Sequence, residues 1–293
     1  MQPTEIDELV TRAGDLVVEH YVFEDVAKRV REVLAAARYA DGDPAALAEA
    51  VTRDLQSVNG DLHLRLRHYD EPIPEVWDDA ADAAARHAKA VRSMGGVAKI
   101  ELLEGNVALL ALAPSLFPIG SAGPAVTAAL QLVASADALL LDLRGNRGGD
   151  PRTVALVCGY LLDEHTHLVT MHQRDTGETF QSWSVPWVPG PRFGGTKPLA
   201  VLVGPDTFSG AEELAYDLQQ LRPHTTVVGE RTRGGAHPCE GYRLHPHLEL
   251  TVPTARALGA TTGANWEGVG ITPDVETGDP FPAAYQLALA AVQ

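Results

Sequence analysis

The sequence predicts an α/β domain behind a helical N-terminal region, and three observations carry that expectation. Residues 1 to about 95 place apolar side chains at a helical period. From residue 97 onward, apolar runs of strand length alternate with helical stretches. Two of those runs, 138–143 and 199–203, are apolar at almost every position, which suits strands buried on both faces of a parallel sheet.

In chain order, Ile6, Leu9, Val10, Ala13, Leu16 and Val17 form one helical stripe, and Val22, Val26, Val30, Val33 and Leu34 continue it after a break. Asp43-Pro44 opens a further helix with proline in its first turn and Leu47, Val51 and Leu55 on one face. Residues 75–94 are rich in alanine with spaced charges and read as helical until Gly95-Gly96. Residues 97–104 and 107–113 are strands of a hairpin whose turn is Glu104-Gly105-Asn106. Helices are expected over 124–135, 152–162, 212–221 and 283–292. Strands are expected over 138–143, 199–203, 225–229, 242–244 and 247–252. Residues 185–197, rich in proline and glycine, read as a long surface loop. The domain reading is a helical subdomain over 1–95 followed by an α/β domain over 96–293.

Composition removes several classes of function. A net charge of −16 argues against a phosphate-backbone partner. No basic amphipathic stretch favours an anionic membrane, and no apolar run reaches spanning length. The first residues are acidic and lack the apolar core of a secretory signal, so the expected location is the cytoplasm. Cys158 and Cys239 read as free thiols. The pairs His165-Thr166-His167 and His245-Pro246-His247 lack a nearby carboxylate or cysteine set of zinc spacing, so neither metal nor cofactor is expected.

Chemistry concentrates in two turns. Asp142-Leu143-Arg144-Gly145-Asn146-Arg147-Gly148-Gly149 follows a buried strand, and its glycines permit backbone conformations that aim N–H groups at an anion. It matches neither phosphate-loop pattern. The strand 199–203 leads into Gly204-Pro205-Asp206-Thr207-Phe208-Ser209-Gly210-Ala211-Glu212. A serine at a strand-to-helix elbow is exposed at a helix N-terminus, where the dipole favours negative charge. Alone, Ser209 reads equally well as a nucleophile and as the cap of the following helix.

Taken together the two turns resemble the tail-specific (C-terminal processing) protease superfamily, which includes the interphotoreceptor retinoid-binding proteins and tricorn-type core peptidases. Three further segments match in order: Asn59-Gly60-Asp61-Leu62-His63-Leu64-Arg65 upstream, then Val228-Gly229-Glu230-Arg231-Thr232-Arg233-Gly234-Gly235, then Asn265-Trp266-Glu267-Gly268-Val269-Gly270-Ile271-Thr272-Pro273-Asp274-Val275. The resemblance spans the chain, including a helical N-terminal region like that of the retinoid-binding branch, and leaves no segment for a PDZ domain. It implies the crotonase-like ββα sheet core of tail-specific proteases.

Many members use a Ser-Lys dyad with the lysine downstream of the serine. Here the lysines are Lys28, Lys89, Lys99 and Lys197, and none follows Ser209. Arginine cannot replace the base, because it stays protonated. The resemblance to the tricorn-like variant instead implies Ser209, His63 and Glu267, with His63 taking the serine proton and Glu267 orienting the imidazole. His68 and His237 compete with His63. Alternation along 62–68 places His63, Arg65 and Arg67 on a polar strand face. The oxyanion hole is expected from the amide of Gly210 together with Gly148 or Gly149. Glu212 matches an acidic family position and reads as structural.

The implied activity is a serine hydrolase, most directly a peptidase, acting on peptides recognised near their C-terminus. Two alternatives stay open. One is a binder of hydrophobic ligands with Trp183, Trp187, Phe193 and Trp266 lining a pocket, three of which (Trp183, Trp187, Trp266) would contact substrate in an enzyme. The other is an esterase or acyl transferase on a small substrate. Oligomeric state is not readable.

Overall fold

The computed structural model describes residues 1–40, 42–75 and 78–292. Residues 76 and 77, near the start of the segment expected to be helical from 75, and residue 293 lie outside that set. The chain forms two compact units drawn from separated stretches: 1–78, 171–180 and 237–257 in the first, 79–170, 181–236 and 258–293 in the second. No helix among the described residues is long and apolar enough to cross a membrane.

In the first unit the apolar stripes produce three helices, Pro3–His20, Glu24–Ala36 and Pro44–Gln56. The Asp43 carboxylate caps the third by accepting from Ala45 N–H at 3.0 Å. A three-stranded antiparallel sheet follows the order Arg65–His68, Leu248–Pro253, Cys239–His245. Leu64, Leu66, Leu248, Leu250 and Val252 pack with Ile6, Val17, Val30, Val51 and Leu55 into one core. The free edge of strand Arg65–His68 is closed by a helix side chain: Thr52 Oγ1 accepts from Leu66 N–H and donates to Leu66 O, both at 3.0 Å.

The second unit is built on a six-stranded sheet in the order Val275–Glu276, Thr225–Gly229, Leu199–Val203, Ala138–Asp142, Val107–Leu112, Val97–Leu103. Neighbours are parallel except the last pair, which is the expected hairpin. Leu140, Ala200, Leu202 and Val228 point to the face covered by helix Pro280–Ala291, against Ala284 and Ala288. Helices Ile119–Val133, Pro151–Leu161 and Gly210–Leu221 pack on one another. Burial on both faces explains why Leu199–Val203 is apolar throughout.

Three differences from expectation have local causes. Helix Ile119–Val133 begins about a turn before Pro124, the expected start, so that proline lies inside it. Residues 62–64 form a turn, and the strand starts only at Arg65, so His63 is not on a strand's polar face: it is 5% exposed. Strands His167–Gln173, Thr179–Trp183 and Ala255–Gly259 were not anticipated, because their runs mix polar and apolar residues without a clean period.

Candidate active site

In the second unit the two informative turns leave the carboxyl ends of adjacent parallel strands, Ala138–Asp142 and Leu199–Val203, the usual position of sites in open sheets. The turn before Ser209 is locked from within. Thr207 Oγ1 donates to Leu143 O at 2.9 Å and accepts from Gly204 N–H at 3.0 Å. Phe208 N–H donates to Asn146 O at 3.1 Å, and Arg233 stacks over the Phe208 ring at 5.2 Å. Ser209 is held at φ 53°, ψ −124°, a conformation that side chains avoid. Helix Gly210–Leu221 begins at the next residue. A non-glycine residue in such a region costs about 1–3 kcal/mol and persists only where its surroundings enforce it. That strain distinguishes an elbow from an ordinary N-cap, which sits in extended backbone.

The two glycines of the first turn have different duties. Gly148 N–H donates to the Asn146 side-chain oxygen at 2.9 Å, and Gly148 O accepts from Leu116 N–H and Ser115 Oγ. Asn146 is fully buried, and its amide donates to Leu112 O at 3.0 Å. Gly149 bridges Leu116 in parallel fashion through its neighbours, with Asp150 N–H donating to Leu116 O. In such a bridge the middle residue's own N–H and C=O point away from the partner. They face the elbow: a Cβ on Gly210 would lie 3.0 Å from Gly149 O and 3.1 Å from Gly149 N. A Cβ on Gly149 itself would fall 1.9 Å from Leu116 O, so no side chain fits there.

Glu212, fully buried one turn into the elbow helix, joins the elbow to the glycine turn some twenty residues further on. Its carboxylate accepts from Ser209 N–H (2.9 Å), Gly235 N–H (2.8 Å), Gly234 N–H (2.7 Å) and Thr232 Oγ1 (2.5 Å). Burial pushes this carboxyl up from the usual range, against the four hydrogen bonds, which act to lower it. Thr232 Oγ1 also accepts from Ile271 N–H at 2.6 Å, and Gly268 N–H donates to Gly234 O. The segment carrying Glu267 is thereby stitched to the glycine turn. Glu267 accepts from Ala236 N–H at 2.5 Å and receives its own N–H constraint from Asn265 Oδ1.

The expected aromatic residues part company. Trp266 is 3% exposed, packs on Tyr216 and spends its indole N–H on Gly235 O at 3.0 Å. That makes it scaffold beneath the glycine turn, not a surface for substrate. Phe193 is buried between Lys197 and Arg222. Trp187 is 71% exposed, and Trp183 stacks with His165 and His167. Lys197, the lysine nearest Ser209 in sequence, donates to Ala134 O and Ala136 O.

His63 belongs to the first unit. Asp61, fully buried, accepts from His63 N–H with Oδ1 at 3.0 Å, and its Oδ2 is 2.9 Å from both Tyr21 Oη and His237 Nδ1. Burial acts to raise the Asp61 carboxyl, but the hydrogen bond and charge of His237, the Tyr21 hydroxyl and the His63 charge outweigh it and hold it below the ordinary value.

Over residues 115–277 the sequence matches Peptidase family S41, and over residues 3–95 it matches the N-terminal domain of Peptidase S41 in eukaryotic IRBP. The first match covers more than half of the chain. The chain belongs to peptidase family S41. The family is one of serine-type peptidases. The fold agrees with solved structures of low sequence identity. A lipoprotein from Streptococcus agalactiae aligns with a TM-score of 0.60 at 15% identity over 99% of this chain and 98% of that one. Mature CPAF complexed with lactacystin gives 0.63 at 10% over 98% and 96%. The photosystem II D1 C-terminal processing protease gives 0.53 at 17% over 93% of each.

Against this S41 background, sequence reasoning missed Asp61 and Asn146 as residues that fix the backbone of the candidate segments, although both lie inside motifs it singled out. A short polar residue two positions before His63 or before Gly148 is the signal that would have found them, since Asx side chains cap the N–H two residues on.

Proposed function

We propose that this S41 peptidase cleaves peptide bonds with Ser209 as nucleophile, His63 as general base and Glu267 as the carboxylate supporting the imidazole. The strained backbone of Ser209, next to the amides of Gly149 and Gly210, carries the reading. Gly148 is spoken for by Asn146, so Gly149 and Gly210 are the amides assigned to the oxyanion.

Ser209 Oγ attacks the carbonyl carbon as His63 takes its proton, and the carbonyl oxygen becomes an oxyanion held by the two amides. Collapse expels the amine, which receives the proton from His63, and leaves an acyl-enzyme. Water, deprotonated by His63, then releases the acid. Each oxyanion donor is worth roughly 10²–10³ in rate. The proposed substrates are peptides recognised near their C-terminus, with Trp183 and Trp187 as surface contacts. The scaffold role of Trp266 and burial of Phe193 remove two of the four aromatics invoked for a hydrophobic-ligand pocket.

Labelling with a serine-directed fluorophosphonate tests the nucleophile. Wild type is expected to label, Ser209→Ala not at all, and His63→Ala at least about 100-fold more slowly. Equal labelling of wild type and Ser209→Ala would sink the assignment.

A further inference from the structure

We propose that Asp61 is a positioning residue for His63, a buried anion that fixes the segment carrying the base and faces the charge the base acquires during turnover. The inference rests on the reading of His63 as the base of a Ser209 hydrolase, and is carried by geometry inside the first unit.

Asp61 sits two residues before His63, and its Oδ1 accepts His63 N–H at 3.0 Å, an Asx turn that sets where the His63 Cα can lie. The second oxygen is clamped from two directions. Tyr21, at the end of helix Pro3–His20, donates its hydroxyl at 2.9 Å, and is itself oriented by Asn59, whose amide donates to Tyr21 Oη at 2.6 Å. His237 approaches from the other direction with Nδ1 at 2.9 Å, its ring braced edge-on against Phe23 at 5.4 Å. Three groups, His63 N–H, the Tyr21 hydroxyl and His237 Nδ1, therefore converge on one carboxylate, which has no exposed surface.

Burying an ionised carboxylate is costly unless hydrogen bonds and charge compensate it, and an apolar replacement would often serve stability as well. Holding the group ionised is useful beside a residue that becomes an imidazolium. Among the described residues of the first unit, the titratable groups acting on Asp61 include Tyr21, His63, His237 and the Cys239 thiol; burial keeps that thiol neutral, its value pushed up to about 11, with Arg67 and Arg65 opposing the rise. Asp61 and Glu267 thus have separate duties. Asp61 holds the His63 backbone and supplies a fixed negative charge, while Glu267 remains the proposed partner of the ring.

Asp61→Asn isolates the charge, because an asparagine oxygen can still accept His63 N–H. Fluorophosphonate labelling is followed from pH 5 to 9 and normalised to folded protein by circular dichroism, with Ser209→Ala as the blank. Asp61→Asn is expected to label about 10- to 100-fold more slowly. The midpoint of its rising pH limb should move down by about half a unit to one unit, since removing a nearby anion makes the imidazolium easier to deprotonate. A purely structural Asp61 would lower the melting temperature yet leave both the rate per folded molecule and the pH limb where they were, and that result overturns the inference. Labelling that persists in Ser209→Ala overturns the nucleophile assignment instead, so the two failures are distinguishable. Should Asp61→Asn not fold, Tyr21→Phe removes one donor and keeps the carboxylate; it is expected to slow labelling two- to fivefold, and an unchanged rate there also overturns the inference.

Discussion

Glu212→Ala is expected to abolish fluorophosphonate labelling and to cost roughly 3–5 kcal/mol of folding stability, the range for removing one side of a buried charged cluster. The truncation strands four donors at once: the N–H groups of Ser209, Gly234 and Gly235 and the hydroxyl of Thr232. Each buried donor left without an acceptor costs about 1–3 kcal/mol, partly recovered by relaxation or entering water. The loss is not confined to stability. Ser209 stays at φ 53° because the carboxylate grips its N–H, and the glycine turn carrying Ala236 stays near Glu267 because the same carboxylate grips Gly234 and Gly235. Glu212→Gln should fall between, since one acceptor oxygen becomes an NH₂ that faces donors. Urea unfolding at pH 7.5 measures the difference, and a Glu212→Ala variant within about 1 kcal/mol of wild type would show that the cradle does not hold the elbow.

Much of this arrangement was legible in the sequence, for reasons that differ by residue. The elbow was readable because an apolar strand, a turn and a helix start coincide at Ser209, and that pattern is local. Glu212 was correctly read as structural from its place in the first helical turn, but its four partners were not readable, since two of them lie more than twenty residues away. The choice between Gly148 and Gly149 was closed to sequence for the same reason. It depends on which amide Asn146 captures and on a bridge to Leu116, a contact more than thirty residues distant along the chain. His63 was misplaced onto a strand face because the alternation 62–68 is genuine, yet the Asp61 carboxylate captures its N–H and starts a turn first. Trp266 was read as a ligand contact on residue type, whereas its N–H was needed to satisfy a buried carbonyl.

The elbow helix also carries two carboxyls that no motif accounts for, and they make stability fall with pH. Glu213 and Asp217 are one turn apart and buried, with Glu213 Oε1 and both Asp217 oxygens lacking a hydrogen-bond partner among the described residues. Burial pushes Glu213 up to about 7; burial and then the Glu213 charge push Asp217 well above its ordinary value. The buried Cys158 thiol on helix Pro151–Leu161 faces the same pair and is raised by burial, Asp217 and Glu213 in that order. A carboxyl whose folded pKa lies above its unfolded one binds more protons when folded, so unfolding releases protons and stability declines as pH rises. For Glu213 the decline begins near the unfolded value of about 4.3 and ends near 7; Asp217, raised in the same direction, adds to it. Between pH 5 and 8, Glu213→Gln should therefore lose about 2 kcal/mol less stability than wild type, and Glu213→Gln with Asp217→Asn less still, whatever pH-independent penalty the amides add. The comparison is one of slopes from urea unfolding at each pH. Parallel curves for wild type and the double variant would mean that both carboxyls titrate in the folded protein as they do in the unfolded chain. The same helix would then bear two buried negative charges at neutral pH, at a cost no neighbouring cation offsets among the hydrogen bonds and ion pairs of the described residues.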